Sequence, residues 1–188
     1  MTEQNRRGLL TGMALSTAGL AALAGVATPA YAKKAKSNPA QDASLLNAAI
    51  ALEHEGIGAY AIALGSGLIP AAAVGLVTSF QGHHKQHRDE LAAAIRRLGA
   101  TPAESKTIDQ YAADLNAGAI KGLEDIQRLA LRLERGAANA YLGLIGPIQD
   151  SALHLMLARF AADEATHATV FMLDLKEMIP TQAPLYGA

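Results

Sequence analysis

The sequence contains no cysteine and no tryptophan among its 188 residues, and aromatic side chains make up only 4% of it. Without thiols the chain has no disulfide, no cysteine nucleophile, no thiolate-bound zinc and no iron–sulfur cluster. The scarcity of aromatic residues argues against a β-sandwich, whose strands favour aromatic and β-branched side chains. Any metal ion bound here must therefore be held by Glu, Asp or His.

Length and charge restrict the class of protein further. A chain of 188 residues suffices for one domain with a sizeable core and is short for two. The net charge is −1 and no cluster of Lys and Arg follows residue 36, so we expect no nucleic-acid partner. Because the chain is rich in Ala and Leu, which favour helices, the sequence predicts an all-α fold.

The N-terminus has the features of an export signal. Arg6 and Arg7 precede a mildly apolar stretch that ends in small residues, Ala30 and Ala32, resembling a peptidase cleavage site. Paired arginines before a weakly hydrophobic segment are typical of the twin-arginine route. We therefore predict a signal peptide over residues 1–32 and a periplasmic or secreted protein. The alternative is an uncleaved membrane anchor, since the uncharged stretch is long enough to span a bilayer.

Apolar residues recur at helical spacing in four segments between residues 42 and 179. Breaks rich in Gly and Pro separate these segments at Gly65–Gly67, Gly99–Gly118 and Gly146-Pro147. The middle break is too long for a tight turn, so we predict a crossover with a short helix from Asp109 to Leu115. The predicted domain is a four-helix bundle whose long crossover joins the second and third helices.

The segments that flank the bundle are short. Residues 33–41 are mostly polar and without periodicity, which predicts a flexible leader, and residues 180–188 form a Pro-containing tail. The tail leaves no room for a fifth helix that would line a storage cage. We therefore expect a monomer or homodimer, with no membrane contact once the signal is removed.

Ionisable side chains interrupt the apolar face of every predicted helix, and the two halves of the bundle repeat each other. Glu53 and Tyr60 recur 81 residues later as Glu134 and Tyr141. At an offset of 80 residues the second and fourth helices match in turn: Phe80, His84 and His87 with Phe160, Glu164 and His167. Spacings of three and seven lie on one helix face. Because buried carboxylates require compensation, this convergence predicts a metal ion between the helices.

This pattern resembles the ferritin-like superfamily, whose bundles use one Glu from each of two helices and a Glu-x-x-His pair from each of the other two. The resemblance covers residues 42–179 and implies an iron-binding centre. It implies five metal ligands, Glu53, His87, Glu134, Glu164 and His167, and the candidate set is completed by His84, at the position of the remaining glutamate. If the centre is redox-active, the open coordination position would be flanked by His84, Glu134 and Glu164.

His84 departs from the family pattern, since it stands where the other Glu-x-x-His pair would have its glutamate. Three carboxylates then face the +4 charge of two divalent ions, which makes a single ion or an asymmetric pair credible. The additional imidazole also suits other transition metals, so zinc, manganese and copper stay open beside iron. A further alternative is a bundle that has lost its metal and in which Glu and His neutralise each other.

Residues around the expected ligands complete the resemblance. It implies that Tyr60 and Tyr141 orient ligand carboxylates, although both also suit an ordinary core, and that Asp163 orients a histidine of a neighbouring helix. The repeat counterpart of Asp163 is His83, so only half of that arrangement is expected. Three nearby residues that are rotated off the ligand face are expected at the surface: His54, Glu55 and His83.

Two functions remain open at this point. One is an exported metal-binding protein whose dinuclear or asymmetric centre supports oxidation by dioxygen or peroxide, in the manner of a ferroxidase or peroxidase. The alternative is a metal-binding bundle without turnover, similar to exported ferritin-like proteins linked to stress and desiccation. Both fit the same composition.

Overall fold

The structure, a computed structural model, describes residues 38–187. It contains five α-helices: α1 Pro39–Gly65, α2 Ala71–Arg97, α3 Ile108–Asp114, α4 Leu123–Ile145 and α5 His154–Asp174. Short 3₁₀ turns precede the last two, at Ala117–Ala119 and Ser151–Leu153, and no strand occurs in this range. The all-α prediction is confirmed. The predicted signal peptide and residues 33–37 of the leader lie outside the described residues.

The four long helices form two helical hairpins. The backbones approach most closely within each pair, α1 with α2 and α4 with α5, and far less between α1 and α4. The pairs therefore leave space between them along the bundle axis. None of the helices within residues 38–187 is long and apolar enough to cross a bilayer.

Two apolar clusters fill the ends of the bundle and leave a polar layer between them. The larger cluster includes Leu46, Ile95, Leu144 and Phe160, all almost fully buried. The smaller cluster is built around Tyr60, Val77, Phe80, Leu131, Phe171 and neighbouring residues. In all four long helices, the ionisable residues of the apolar face fall between these clusters. The repeat seen in the sequence thus places them at one depth.

The start of α1 lies inside the segment that was predicted as a leader. The side chain of Asn38 accepts a hydrogen bond from the Gln41 N–H at 3.2 Å, and Pro39 supplies the preset φ of a first helical residue. Asp42, 1% exposed, accepts 2.9 Å hydrogen bonds from the backbone N–H groups of Gln149 and Asp150. Because both ends of this turn are anchored, residues 39–41 are helical.

Two other boundaries differ from those predicted. The helix α4 begins at Leu123, after Gly122, so Ile120 precedes it. The helix α5 ends at Asp174, followed by Lys176 with a φ of 58°, and does not continue to residue 179. The left-handed conformation of Lys176 ends the helix, and the spacing of the apolar residues does not indicate this end.

The crossover folds back onto the bundle. Its short helix α3, predicted over Asp109 to Leu115, begins with a capping box between Thr107 and Gln110. Tyr111 of α3 is 5% exposed and packs on Gly58 of α1, where a Cβ atom would lie 2.6 Å from Tyr111 Cδ2. Only glycine permits this contact, which fixes the crossover against α1.

Candidate metal centre

All six predicted ligand side chains converge in the polar layer, and none is more than 4% exposed. The helices α1 and α4 contribute one glutamate each, whereas α2 and α5 contribute two residues each. They are Glu53, His84, His87, Glu134, Glu164 and His167. The structure therefore brings together every residue that the sequence pattern singled out, at the centre of the bundle.

The six side chains form two overlapping groups of four whose ligand atoms lie within 4.8 Å of one another. The first group consists of Glu53, His84, His87 and Glu164, and the second of His84, Glu134, Glu164 and His167. His84 and Glu164 belong to both. These two residues are equivalents in the sequence repeat, so they occupy the shared positions between two neighbouring candidate cation sites.

The imidazole of His84 lies among all three carboxylates. Its Nδ1 is 2.8 Å from Glu53 Oε2 and 3.5 Å from Glu164 Oε1, and its Nε2 is 3.2 Å from Glu134 Oε1. Burial acts to lower the pKa of His84, but the charge of Glu164 and the hydrogen bonds with Glu134 and Glu53 outweigh it and hold the pKa well above its usual value. Without a metal ion, His84 is therefore a cation at the centre of the layer.

Gly56, one turn after Glu53, makes room for this ring. A Cβ atom at Gly56 would lie 3.1 Å from His84 Nδ1 and 3.2 Å from its Cε1. The repeat counterpart of Gly56 is Ala137, in the half whose shared residue is a glutamate. The role of Gly56 was not predicted from the sequence, although comparison of the repeats pairs the smaller residue with the larger side chain.

The two outer histidines point the same nitrogen inward. His87 Nδ1 lies 3.0 Å from Glu164 Oε1, while its Nε2 is 3.2 Å from Asp163 Oδ2. His167 Nδ1 lies 3.2 Å from Glu134 Oε2. The predicted role of Asp163 in orienting a histidine on a neighbouring helix is thus consistent with the geometry. The outer partner also fixes which nitrogen carries the proton, so that Nδ1 of His87 can act as a ligand.

His83 was expected at the surface, and it is half-buried there, with a ring partner in α5. Its Nδ1 is 2.9 Å from His167 Nε2, and the two rings stack with centroids 5.2 Å apart. His83 thus stands towards His167 as Asp163 stands towards His87. With its Nδ1 as a ligand, His167 would donate its Nε2–H to Nδ1 of His83. The outer arrangement is therefore present on both sides, with a neutral partner on one.

The tyrosines cross between the hairpins. The hydroxyl of Tyr60 in α1 donates to Glu134 Oε1 in α4, and that of Tyr141 in α4 donates to Glu53 Oε1 in α1. Burial, together with the adjacent glutamates, raises the pKa of both phenols well above the usual value, so both remain donors. Their rings also pack in the apolar clusters. They are core residues and carboxylate-orienting residues at once.

One buried oxygen of the layer lacks a hydrogen-bond partner. Among the buried side-chain atoms that the structure describes, Glu164 Oε2 is the atom without one. His167 Nδ1 lies 3.3 Å from it but has its hydrogen bond to Glu134. Burial raises the pKa of Glu164 to about 7 against the opposing charge of His84. An orphaned carboxylate oxygen within a set of imidazoles and carboxylates suits a divalent transition metal, so the residues present fit such an ion.

Two other residues expected at the surface are drawn into the structure. Glu55 is 8% exposed, and the ring of His54 is half-buried, 3.1 Å from the carbonyl oxygen of Ala103 in the crossover. The surface expectation was therefore wrong for Glu55, whereas His54 is partly exposed. The crossover and the packing of the hairpins cover residues that would be exposed on an isolated helix.

Comparisons with known proteins agree with this architecture. The family model described as a ferritin-like domain matches residues 41–177. The crystal structure of a conserved hypothetical protein from Mycobacterium tuberculosis is similar, with a TM-score of 0.62 and 23% sequence identity. The match covers 77% of this chain and 96% of that one, and at this identity it shows the fold alone. No curated protein matches the chain.

Proposed function

The chain belongs to the ferritin-like domain family, and from this premise we propose that it is an exported protein whose buried Glu/His centre binds metal and supports redox chemistry with dioxygen or peroxide. The observation that carries the proposal is the pair of overlapping ligand groups that share His84 and Glu164. The orphaned oxygen of Glu164 supports it, because a layer built only of mutually neutralising Glu–His pairs leaves that atom unexplained.

The geometry indicates which residues would hold the metal. Glu53 and His87 would bind on one side, Glu134 and His167 on the other, and the two shared residues between them. Bound iron would supply the electrons for reduction of dioxygen or peroxide. Iron is favoured by the family, zinc and copper suit the three imidazoles of the donor set, and manganese suits its three carboxylates.

The chain's own residues hold these ligands in place and limit the access of water. The hydroxyls of Tyr60 and Tyr141 each fix one carboxylate oxygen, which leaves the other oxygen of each glutamate for a cation. The larger apolar cluster closes the layer at one end of the bundle, and predominantly apolar side chains line the approach at the other. The carboxylate of Asp163 is 57% exposed, so it connects His87 to solvent and can accept or return a proton there.

A second function, metal binding or stress protection without turnover, is favoured by one specific observation. His84 contacts all three carboxylates at once, so the layer is neutralised internally when three histidines are protonated. A bundle of this kind keeps its fold with or without metal. Stability that is independent of the ion is what a protective protein needs, whereas an oxidase needs the ion in place.

The experiment that separates these functions begins with the purified protein, loaded anaerobically with ferrous iron and then desalted. We expect stoichiometric metal by elemental analysis, and consumption of oxygen or peroxide on mixing. Glu164→Gln should lower both, and Glu90→Gln, at an exposed position of α2, should change neither. Stoichiometric metal without consumption would support the second function, and absence of metal in the wild-type protein would contradict the proposed metal centre.

Export is proposed on the sequence alone and is tested separately. Changing both Arg6 and Arg7 to lysine should retain the full-length precursor in the cytoplasmic fraction of a bacterial host with a twin-arginine pathway. The wild-type chain should appear in the exported fraction, shortened by about three kilodaltons if the signal is removed after Ala32. Equal distribution of both proteins would contradict the twin-arginine proposal.

A further inference from the structure

A cavity of 570 Å³ lies in the space between the two hairpins. Its size is that of a small-molecule site, since such sites range over roughly 300 to 1,000 Å³. The wall is predominantly aliphatic and includes Leu52, Ala63, Val77, Ile126, Leu133 and Phe171. A close-packed protein interior does not leave such a volume unfilled without losing packing contacts. We call this space the apolar cavity.

The inner wall of the apolar cavity belongs to the metal centre. Tyr60, His84 and Glu134 line it, so a molecule bound there would touch one side of the ligand set. Leu76 and Leu173 line it at the surface and are 44% and 60% exposed. The cavity therefore runs from an apolar rim at the surface to the polar layer.

The charge of the wall selects the class of molecule. Among the residues that the structure describes, no lysine or arginine lines the apolar cavity, while Glu55 and Asp174 do. The imidazole of His84 also lines the cavity, but its Nδ1 and Nε2 already face Glu53 at 2.8 Å and Glu134 at 3.2 Å. A carboxylate or phosphate head group would therefore lose its hydration there without meeting a cation that is free to pair with it. By contrast, the small polar cleft of 130 Å³ on the other side of the layer contains Arg159 and Asp163, and is suited to water and small ions.

The polar end of the ligand is indicated by Tyr60. Its hydroxyl hydrogen is engaged with Glu134, so the phenol oxygen is left with lone pairs that can accept a hydrogen bond. A neutral hydroxyl group on the ligand supplies that donor. We propose that the apolar cavity binds an elongated, neutral, hydrocarbon-rich molecule with a hydroxyl end directed towards Tyr60.

This binding site goes beyond the proposed function and does not depend on it. The test therefore uses the full chain in metal-free form, so that failure of metal binding and failure of ligand binding are distinguished. The neutral dye N-phenyl-1-naphthylamine reports occupancy by its fluorescence, and 1-dodecanol competes with it. We expect dodecanol to displace the dye at a concentration about tenfold or more below that needed with dodecanoate, whose charge would be buried unpaired.

Variants place the binding in the apolar cavity. Ala130→Trp fills its wall and should weaken dye and dodecanol binding about tenfold or more, as overpacked sites do. Ala93→Trp, at an exposed position of α2 outside the wall, should leave both unchanged. Circular dichroism and melting confirm that each variant folds. If Ala130→Trp fails to fold, Ala59→Trp on the α1 side of the same wall serves instead.

Three results would overturn the proposal. One is dye binding that is absent from the wild-type chain or equal in all variants. The second is a dimer, seen by size exclusion, that dissociates in Ala130→Trp, which would mean that a second copy of the chain fills the space. The third is protection of residues 1–37 from protease in the wild-type chain and its loss in that variant, which would mean that the N-terminal segment is the occupant.

Discussion

Replacing His84 by glutamate should make the stability of the protein depend on metal. The substitution restores the fourth carboxylate of the family pattern and removes the cation whose Nδ1 lies 2.8 Å from Glu53 and whose Nε2 lies 3.2 Å from Glu134. Removing one partner of a buried ion pair costs about 3–5 kcal/mol. For a chain of this size, each kcal/mol shifts the melting temperature by about 2–4 °C. The metal-free variant should therefore melt about 6–20 °C below the wild type.

Metal should reverse this loss. A divalent ion at a thousand times its dissociation constant stabilises a protein by about 4 kcal/mol, which is close to the cost of the substitution. Melting is followed by circular dichroism with chelator and with added ferrous or zinc ions, and bound metal by elemental analysis. Gln86→Glu, which adds the same charge at an exposed position of α2, is the control. Equal melting of His84→Glu and wild type in chelator would refute the assignment of His84 as the central counter-charge.

Three further predictions follow from the same geometry. Gly56→Ala should destabilise the wild type by about 1–3 kcal/mol in chemical denaturation, and much less when combined with His84→Glu, because the clash is with the imidazole. Tyr141→Phe should weaken metal binding about 10–100-fold in competition with a chromophoric chelator, whereas an unchanged affinity would make it a core residue only. The neighbouring carboxylates outweigh the effect of burial and raise the pKa of His87 to about 10 and that of His167 to about 9. Metal binding near pH 7 should therefore release protons. A binding heat that is the same in buffers of different ionisation enthalpy would contradict this prediction.

The raised pKa values of His87 and His167 also determine how the stability of the metal-free protein changes with pH. Both histidines have a higher pKa in the folded protein than the ordinary value of 6.5. Their contribution to stability is therefore complete below about pH 6.5 and is lost as the pH rises through about 9 to 10. Metal affinity changes in the opposite direction, because a proton must leave each Nδ1 before the ion can bind.

The ligand residues could be predicted from the sequence because helical periodicity is local. Glu53 and Glu134 lie on the apolar face of their helices by spacing alone, and the repeat fixes their common depth. The short helix α3 could be placed for the same reason, since a capping box is encoded within four residues. Features that depend on a single helix can therefore be predicted from the sequence.

Features that need two helices were predicted poorly. His83 is rotated away from the ligand face of α2, and only the proximity of α5 gives its ring a partner in His167. Glu55 is buried because the hairpins and the crossover enclose it, which the period of α1 does not encode. The apolar cavity likewise depends on the distance between the hairpins. These misses share one cause, since each depends on how far apart two packed elements lie.

His84 stands where the other half of the repeat has Glu164, and this difference affects the charge of the whole centre. In one half a carboxylate occupies the shared position and the repeat counterpart of Gly56 is Ala137, whereas in the other half an imidazole occupies it and Gly56 supplies the space. A pseudosymmetric fold thus holds an asymmetric charge distribution. Because a protonated imidazole can replace a cation and a neutral one can bind it, this layer can balance the charge of its buried carboxylates in both states, while Glu164 Oε2 has no hydrogen-bond partner without an ion. His84 therefore makes the fold independent of a bound metal ion, while the other ligand side chains keep their positions.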